Sequence, residues 1–192
     1  MNFIKSITKD EIATMPLEEF AGRIIVIQNE KDTEKAVAYL STFPVVGFDT
    51  ETRPSFRKGQ SHKVALMQIS ADEECFLFRL NYIGIPPCLQ QFLADGNIRK
   101  IGLSLKDDFG ALRKRIEIEP GGFLDLQTYV GQFGIEDASL QKIYAILFGR
   151  KISKGQRLTN WEADVLSDAQ KKYASLDAWA CLKIYNILEA EK

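Results

Sequence analysis

The stretch Val45-Val46-Gly47-Phe48-Asp49-Thr50-Glu51 decides how the rest of the chain is read. Val45 to Phe48 is a short run of β-branched, small and aromatic residues, the composition of a buried strand. It ends in two carboxylates two positions apart. Side chains alternate along a strand, so Asp49 and Glu51 point to one side, about 7 Å apart. Gly47 lies on that side as well and is expected to leave open space beside them. Two anions at the end of a buried strand repel each other and lose hydration. A divalent cation resolves both costs. A strand ending in a solvated acidic turn is the alternative, because D-x-E after a strand has little specificity by itself.

The composition frames the choice. At 192 residues, with 45% hydrophobic and 27% charged residues, the chain has the make-up of one globular domain with a real core. The formal net charge of -1 lacks the basic excess common in nucleic-acid binders. Acids at a metal site would, however, offset basic residues elsewhere. Cys75, Cys88 and Cys181 are scattered in apolar settings and form no CxxC pair. They read as buried reduced thiols in a cytoplasmic protein. Neither a signal peptide nor a membrane span is expected. The single histidine, His62, excludes zinc sites built from several imidazoles and makes any Ser-His-Asp arrangement depend on one residue. It lies in the polar stretch from Arg57 to Lys63, which reads as an exposed loop. No pattern indicates an oligomeric state.

Residues 1–22 read as a loosely packed lead-in with a short helix, and residues 23–192 as a single domain. Strands are expected over Arg23–Gln28, the opening stretch, Lys63–Ser70, Cys75–Leu80 and Ile98–Leu105. Helices are expected over Glu30–Ser41, Pro87–Ala94 and Lys106–Arg115, and over an amphipathic stretch from Ser139 to Phe148. A long final helix is capped by Ser167 with Gln170 three residues on. Short turns join the middle strands into an antiparallel meander, and the later alternation is βα-like. The expected class is therefore α/β, a mixed sheet of antiparallel and parallel strands flanked by helices.

Two more carboxylates fall on apolar faces. Helical spacing in the final helix groups Leu188, Tyr185, Ile184, Cys181, Asp177 and Tyr173 on one stripe. A core-facing Asp177 needs a metal or a hydrogen-bonding partner. In the helix from Lys106, Asp108 shares its face with Leu105 and Leu112, whereas Asp107 lies on a more solvated face. Four acids, Asp49, Glu51, Asp108 and Asp177, are thus expected to face inward from three elements. Hard oxygen ligands without usable imidazoles point to Mg²⁺ or Mn²⁺.

This pattern resembles a known superfamily. Asp49-x-Glu51, Gly102 with Asp108 and Leu112, and Tyr173-x-x-x-Asp177 are similar to the three motifs of the DEDD 3′-5′ exonucleases. The tyrosine four residues before the last aspartate matches the tyrosine-containing (DEDDy) branch. Werner syndrome exonuclease-like and ribonuclease D-like domains are the nearest in pattern. Further matches are Lys63-Val64-Ala65-Leu66-Met67-Gln68-Ile69, Asn160-Trp161 and Tyr173-Ala174-x-x-Asp177-Ala178. The resemblance covers roughly residues 22 to 190. It implies a ribonuclease H-like sheet and one 3′-5′ exonuclease domain over residues 23–192.

The resemblance implies metal-dependent hydrolysis of phosphodiesters at a free 3′ end, releasing nucleoside monophosphates. The cofactors would be two divalent cations about 3.5–4 Å apart, Mg²⁺ or Mn²⁺. Asp49, Glu51 and Asp177 would hold the first, Asp49 would bridge to the second, and Asp108 would support the second. Tyr173 would orient the attacking water. The partner is a nucleic acid strand, DNA or RNA. Candidate contacts are Thr50, Arg53, Phe56, Arg57 and Lys58 after the first motif, and Lys151, Lys154 and Arg157 before the last. Trp161 is either a stacking platform or a packing anchor. Three rivals predict different behaviour: a non-catalytic nucleic-acid-binding module with the same fold, a protein scaffold with ordinary surface acids, and a metal-dependent endonuclease.

Overall fold

The computed structural model describes residues 3–192, so Met1 and Asn2 of the expected lead-in lie outside the described residues. Strands Arg23–Ile27 (β1), Val45–Thr52 (β2), Val64–Ala71 (β3), Glu74–Arg79 (β4), Arg99–Gly102 (β5) and Phe123–Asp125 (β6) form one sheet. Their order is β1-β4-β3-β2-β5-β6. The β2-β3-β4 meander is antiparallel, and β1, β5 and β6 join it in parallel. The helices are Lys9–Ala13 (α1), Glu30–Leu40 (α2), Leu80–Ile83 (α3), Pro87–Ala94 (α4), Leu105–Leu112 (α5), Leu126–Tyr129 (α6), Leu140–Phe148 (α7) and Asp168–Ala190 (α8).

Both faces of the sheet are covered. All eight residues of the central strand β3 are buried, which suits its nearly unbroken apolar run. One core gathers Leu66, Leu77 and Ile101 of the sheet with Ala178, Cys181 and Ile184 of α8. The other gathers Phe48 and Met67 with Leu40 of α2, Leu93 of α4 and Leu112 of α5. The mixed sheet and its helical layers therefore match the expected class.

Five local expectations differ from the structure. Gly47 does not leave open space: a Cβ there would come within 2.0 Å of the Ala178 carbonyl oxygen. Glycine instead lets the backbone of α8 press against β2. Strand β5 stops at Gly102, short of the expected Leu105, because Ser104 takes a left-handed conformation (φ 60, ψ 37) that starts α5 at Leu105. The lead-in is not loose. Ile7 and Phe20 are buried, Glu18 N donates to the Lys151 carbonyl at 2.8 Å, and Lys151 N donates to the Pro16 carbonyl at 3.0 Å. Isolated apolar residues in a polar segment give no periodicity from which to foresee such docking. His62 is partly buried rather than exposed, with Nδ1 3.4 Å from a Glu162 carboxylate oxygen. Of the cysteines, Cys75 and Cys181 are buried, Cys88 is only half-buried, and all three are free thiols. Among the described residues no helix is long and apolar enough to cross a membrane.

Candidate active site

The carboxylates converge where β2 meets α8. Strand alternation carries Asp49 and Glu51 to the face that α8 covers, next to the contact at Gly47. A register shift follows immediately, between Glu51 and Thr52, and ends the regular pairing with β3. In α8, the four-residue spacing stacks Tyr173 one turn before Asp177 on the same face. The start of this helix is fixed by a reciprocal capping box between Ser167 and Gln170. Trp161 is fully buried, 6.0 Å from the Tyr173 ring, so it anchors the helix rather than offering a stacking face.

Three carboxylates meet closely. Asp49, Glu51 and Asp177 each offer an oxygen within 4.8 Å of the others. Asp108 approaches from α5, where it accepts a hydrogen bond from the Thr50 hydroxyl at 2.5 Å. Asp107 beside it is exposed. Asp125, which the sequence reading did not single out, accepts from the Ser104, Leu105 and Gln127 amides at 3.1, 2.9 and 2.9 Å. It thereby fixes the strained turn that aims α5 at the site. Its signal in the sequence is only a strand-ending Asp, a common helix cap.

The electrostatics show a site short of positive charge. Burial first, then the Asp108, Glu51 and Asp177 charges, push Asp49 well above the usual carboxylate range. Burial and the Asp177 and Asp108 charges raise Glu51 to about 9. Burial raises Asp177 to about 7, although the Tyr173 hydroxyl and the Lys154 ammonium pull it down. Burial likewise raises Asp108 to about 7 against the Thr50 hydrogen bond. The Tyr173 phenol is pushed up by burial and by the Asp177, Glu51 and Asp49 charges, so it stays protonated at neutral pH. Asp177 Oδ1 is buried and has no hydrogen-bond partner among the described residues. Clustered oxygen donors, an orphaned buried oxygen and uncompensated negative charge fit hard divalent cations.

Asp49, Glu51 and Asp177 line a cleft of about 540 Å³, and Asp108 sits behind its wall, tied to the lining residue Thr50. Gln127, Ser139, Leu140, Gln141, Lys154 and Arg157 also line the cleft. Thr50, Lys154 and Arg157 therefore lie at the cleft as anticipated. Arg53 and Phe56 do not: with Arg57 they line a separate depression of about 460 Å³ that shares no lining residue with the acid cleft. Arg53 is held there by Glu162 at 3.2 Å. Lys58 is exposed and lines neither depression. Gln127, Ser139 and Gln141 escaped the sequence reading because single polar residues carry no periodic signal.

Comparison with known proteins follows the same lines. A family model described as 3′-5′ exonuclease matches residues 24–191. The chain is 29% identical to the bifunctional 3′-5′ exonuclease/ATP-dependent helicase WRN of Mus musculus, over 96% of this chain and 14% of that protein. It is 30% identical to a 3′-5′ exonuclease of Arabidopsis thaliana, over 91% of this chain and 66% of that protein. The chain thus spans a small part of the first relative and just under two thirds of the second. Among solved structures, Escherichia coli RNase D, an exoribonuclease involved in structured RNA processing, superposes with a TM-score of 0.78 at 22% identity. That match covers 88% of this chain and 45% of that one, and it shows a shared fold.

Proposed function

Because the chain belongs to the 3′-5′ exonuclease family, we propose that it hydrolyses the terminal phosphodiester of a nucleic acid strand from the 3′ end. The products would be nucleoside monophosphates, and the Tyr173-x-x-x-Asp177 spacing supports a place in the tyrosine-containing branch. Residues 23–192 form the exonuclease domain in this reading. The observation that carries the proposal is the meeting of Asp49, Glu51 and Asp177 oxygens within 4.8 Å at the floor of an open cleft.

Asp49, Glu51 and Asp177 would hold one divalent cation, and Asp49 with Asp108 a second, Mg²⁺ or Mn²⁺ in both cases. Bound there, the cations would neutralise the phosphate and stabilise the attacking and leaving oxygens. The chain's own groups supply the remaining work. Tyr173 keeps its proton because its surroundings are anionic. It therefore acts as a hydrogen-bonding group that orients water and not as a base. Thr50 steadies Asp108 through its hydroxyl. Lys154 and Arg157 line the same cleft, where their charges act on Asp177 and Glu51 and would attract an anionic strand. The free cysteines accord with a reducing, cytoplasmic setting.

The direct test uses DNA and RNA oligonucleotides labelled at the 5′ end and incubated with Mg²⁺, Mn²⁺ or EDTA. A ladder shortening from the 3′ end, absent in EDTA and with Asp49→Ala, is the expected result. Internal cuts would instead mean an endonuclease, and intact strands that still bind would mean a non-catalytic binding module.

A further inference from the structure

The acid cleft continues on one side into a second depression of about 320 Å³. Ser139, Gln141 and Lys154 line both, so the two depressions adjoin along a shared wall and are read together as a trough. Beyond those shared residues the wall carries Lys142, Lys151 and, from the lead-in, Lys9 and Ile12. Asp49, Glu51 and Asp177 line only the first depression, Lys9, Lys142 and Lys151 only the second, and Lys154 lines both. The lead-in lies outside the segment that matches the family model, residues 24–191.

Lys9 is held in place by a docked segment. Ile7 N donates to the Asp137 carboxylate at 2.8 Å. Lys151 Nζ donates to the Ala13 carbonyl at 2.7 Å, at the end of α1. Lys142 is paired with Asp137 at 2.7 Å. Among the described residues, the side chains of Lys9 and Lys154 make no hydrogen bond or ion pair. Lys9, in the second depression, and Lys154, at the shared wall where its charge also acts on Asp177, are therefore the cations that face the trough. Lys9 and Ile12, three residues apart on α1, share the face that lines it. Asp10 and Glu11 are not among the lining residues.

We propose that this lysine-lined trough carries the backbone of the substrate strand on the 5′ side of the nucleotide being removed. Lys9 and Lys154 are its phosphate contacts, so the lead-in is a working part of the nucleic-acid interface. The polarity of the strand rests on the exonuclease reading above. The other basic depression, with Arg53 and Arg57, is a poorer track because it does not share a wall with the acid cleft and Glu162 already holds Arg53. Ser139 and Gln141 give the trough neutral polar groups, which suits a sugar-phosphate chain read without regard to sequence.

The test measures binding of a fluorescent single strand of about eight nucleotides in EDTA, as affinity against salt. The variants are Lys9→Gln and Lys154→Gln, with Lys31→Gln on α2 as a control. Each lost phosphate contact lowers the slope of log affinity against log salt by about 0.7 for a single strand. The expected result is that fall for Lys9→Gln and for Lys154→Gln and none for Lys31→Gln. Superimposable plots for Lys9→Gln and the wild type would overturn the proposal. Circular dichroism melts establish that Lys9→Gln keeps its docked fold. The same preparations, given Mn²⁺ and a 5′-labelled strand, separate the two readings. A Lys9-dependent slope without a 3′ ladder would keep the trough and remove the nuclease assignment.

Discussion

Asp177 occupies the buried stripe of a 23-residue helix, where an ionised carboxylate without a partner costs several kcal/mol. The structure answers that cost with neither a buried cation from a side chain nor a full set of hydrogen bonds. It brings Asp49 and Glu51 to the same point, with Asp108 close behind Thr50. The consequence is a definite pH dependence. Asp108 and Asp177 titrate at about 7 and Glu51 at about 9 in the folded state, above an unfolded value of about 4. A raised folded value means that the folded state binds more protons. The stability these groups contribute is fully present below about pH 4 and is lost as pH rises through about 7 and then about 9. In EDTA the melting temperature should therefore fall between about pH 5 and about pH 8, and Asp177→Asn should flatten the fall. A melting temperature that climbs over this interval would contradict the assignment. For Tyr173→Phe, which removes one hydroxyl from the site, turnover should drop about 10- to 100-fold, the worth of one hydrogen bond to a charged centre. Cation binding should survive, and unchanged turnover would remove the positioning role.

At the scale of elements, the contact between β2 and α8 matters most. Gly47 permits it, since a Cβ there meets a backbone carbonyl that cannot swing aside. Gly47→Ala should cost about 1–3 kcal/mol, the usual penalty of overpacking. Urea unfolding would measure the loss, and a variant as stable as the wild type would show that the contact is slack. The same contact shows what could be read in advance. The D-x-E strand end and the misplaced Asp177 stood out because each breaks the hydrophobic pattern of its own element, a local property. The role of Gly47 did not, because it depends on a helix that begins more than a hundred residues later. The left-handed Ser104 was equally hidden: nothing in Leu103-Ser104-Leu105 marks a turn, and the conformation is held by Asp125 from β6. The pairing of β1 with β4 is a long-range choice of the same kind. Strands β3 and β4 were legible as a hairpin because the short turn Asp72-Glu73 leaves them few alternatives, whereas a loop over residues 53–63 joins β2 to β3.

Over the whole molecule, a net charge of -1 conceals a strong internal separation. Two acids at the end of one buried strand meet a single acid from the final helix, and lysines line the adjoining depression. Average composition cannot report such an arrangement, and for that reason the balance of charges argued neither for nor against a nucleic-acid partner. The fold also brings in the lead-in, whose Ile7 and Phe20 are buried in the body. Clustered acids of this kind are best explained as ligands of divalent cations. Calorimetric titration of Mn²⁺ into the protein near pH 8 tests that assignment most directly. The account predicts saturable binding accompanied by release of protons from the raised carboxyls. It also predicts loss of that binding in Asp49→Asn. A folded wild-type protein that takes up no Mn²⁺, or a variant that binds it equally well, would contradict the account.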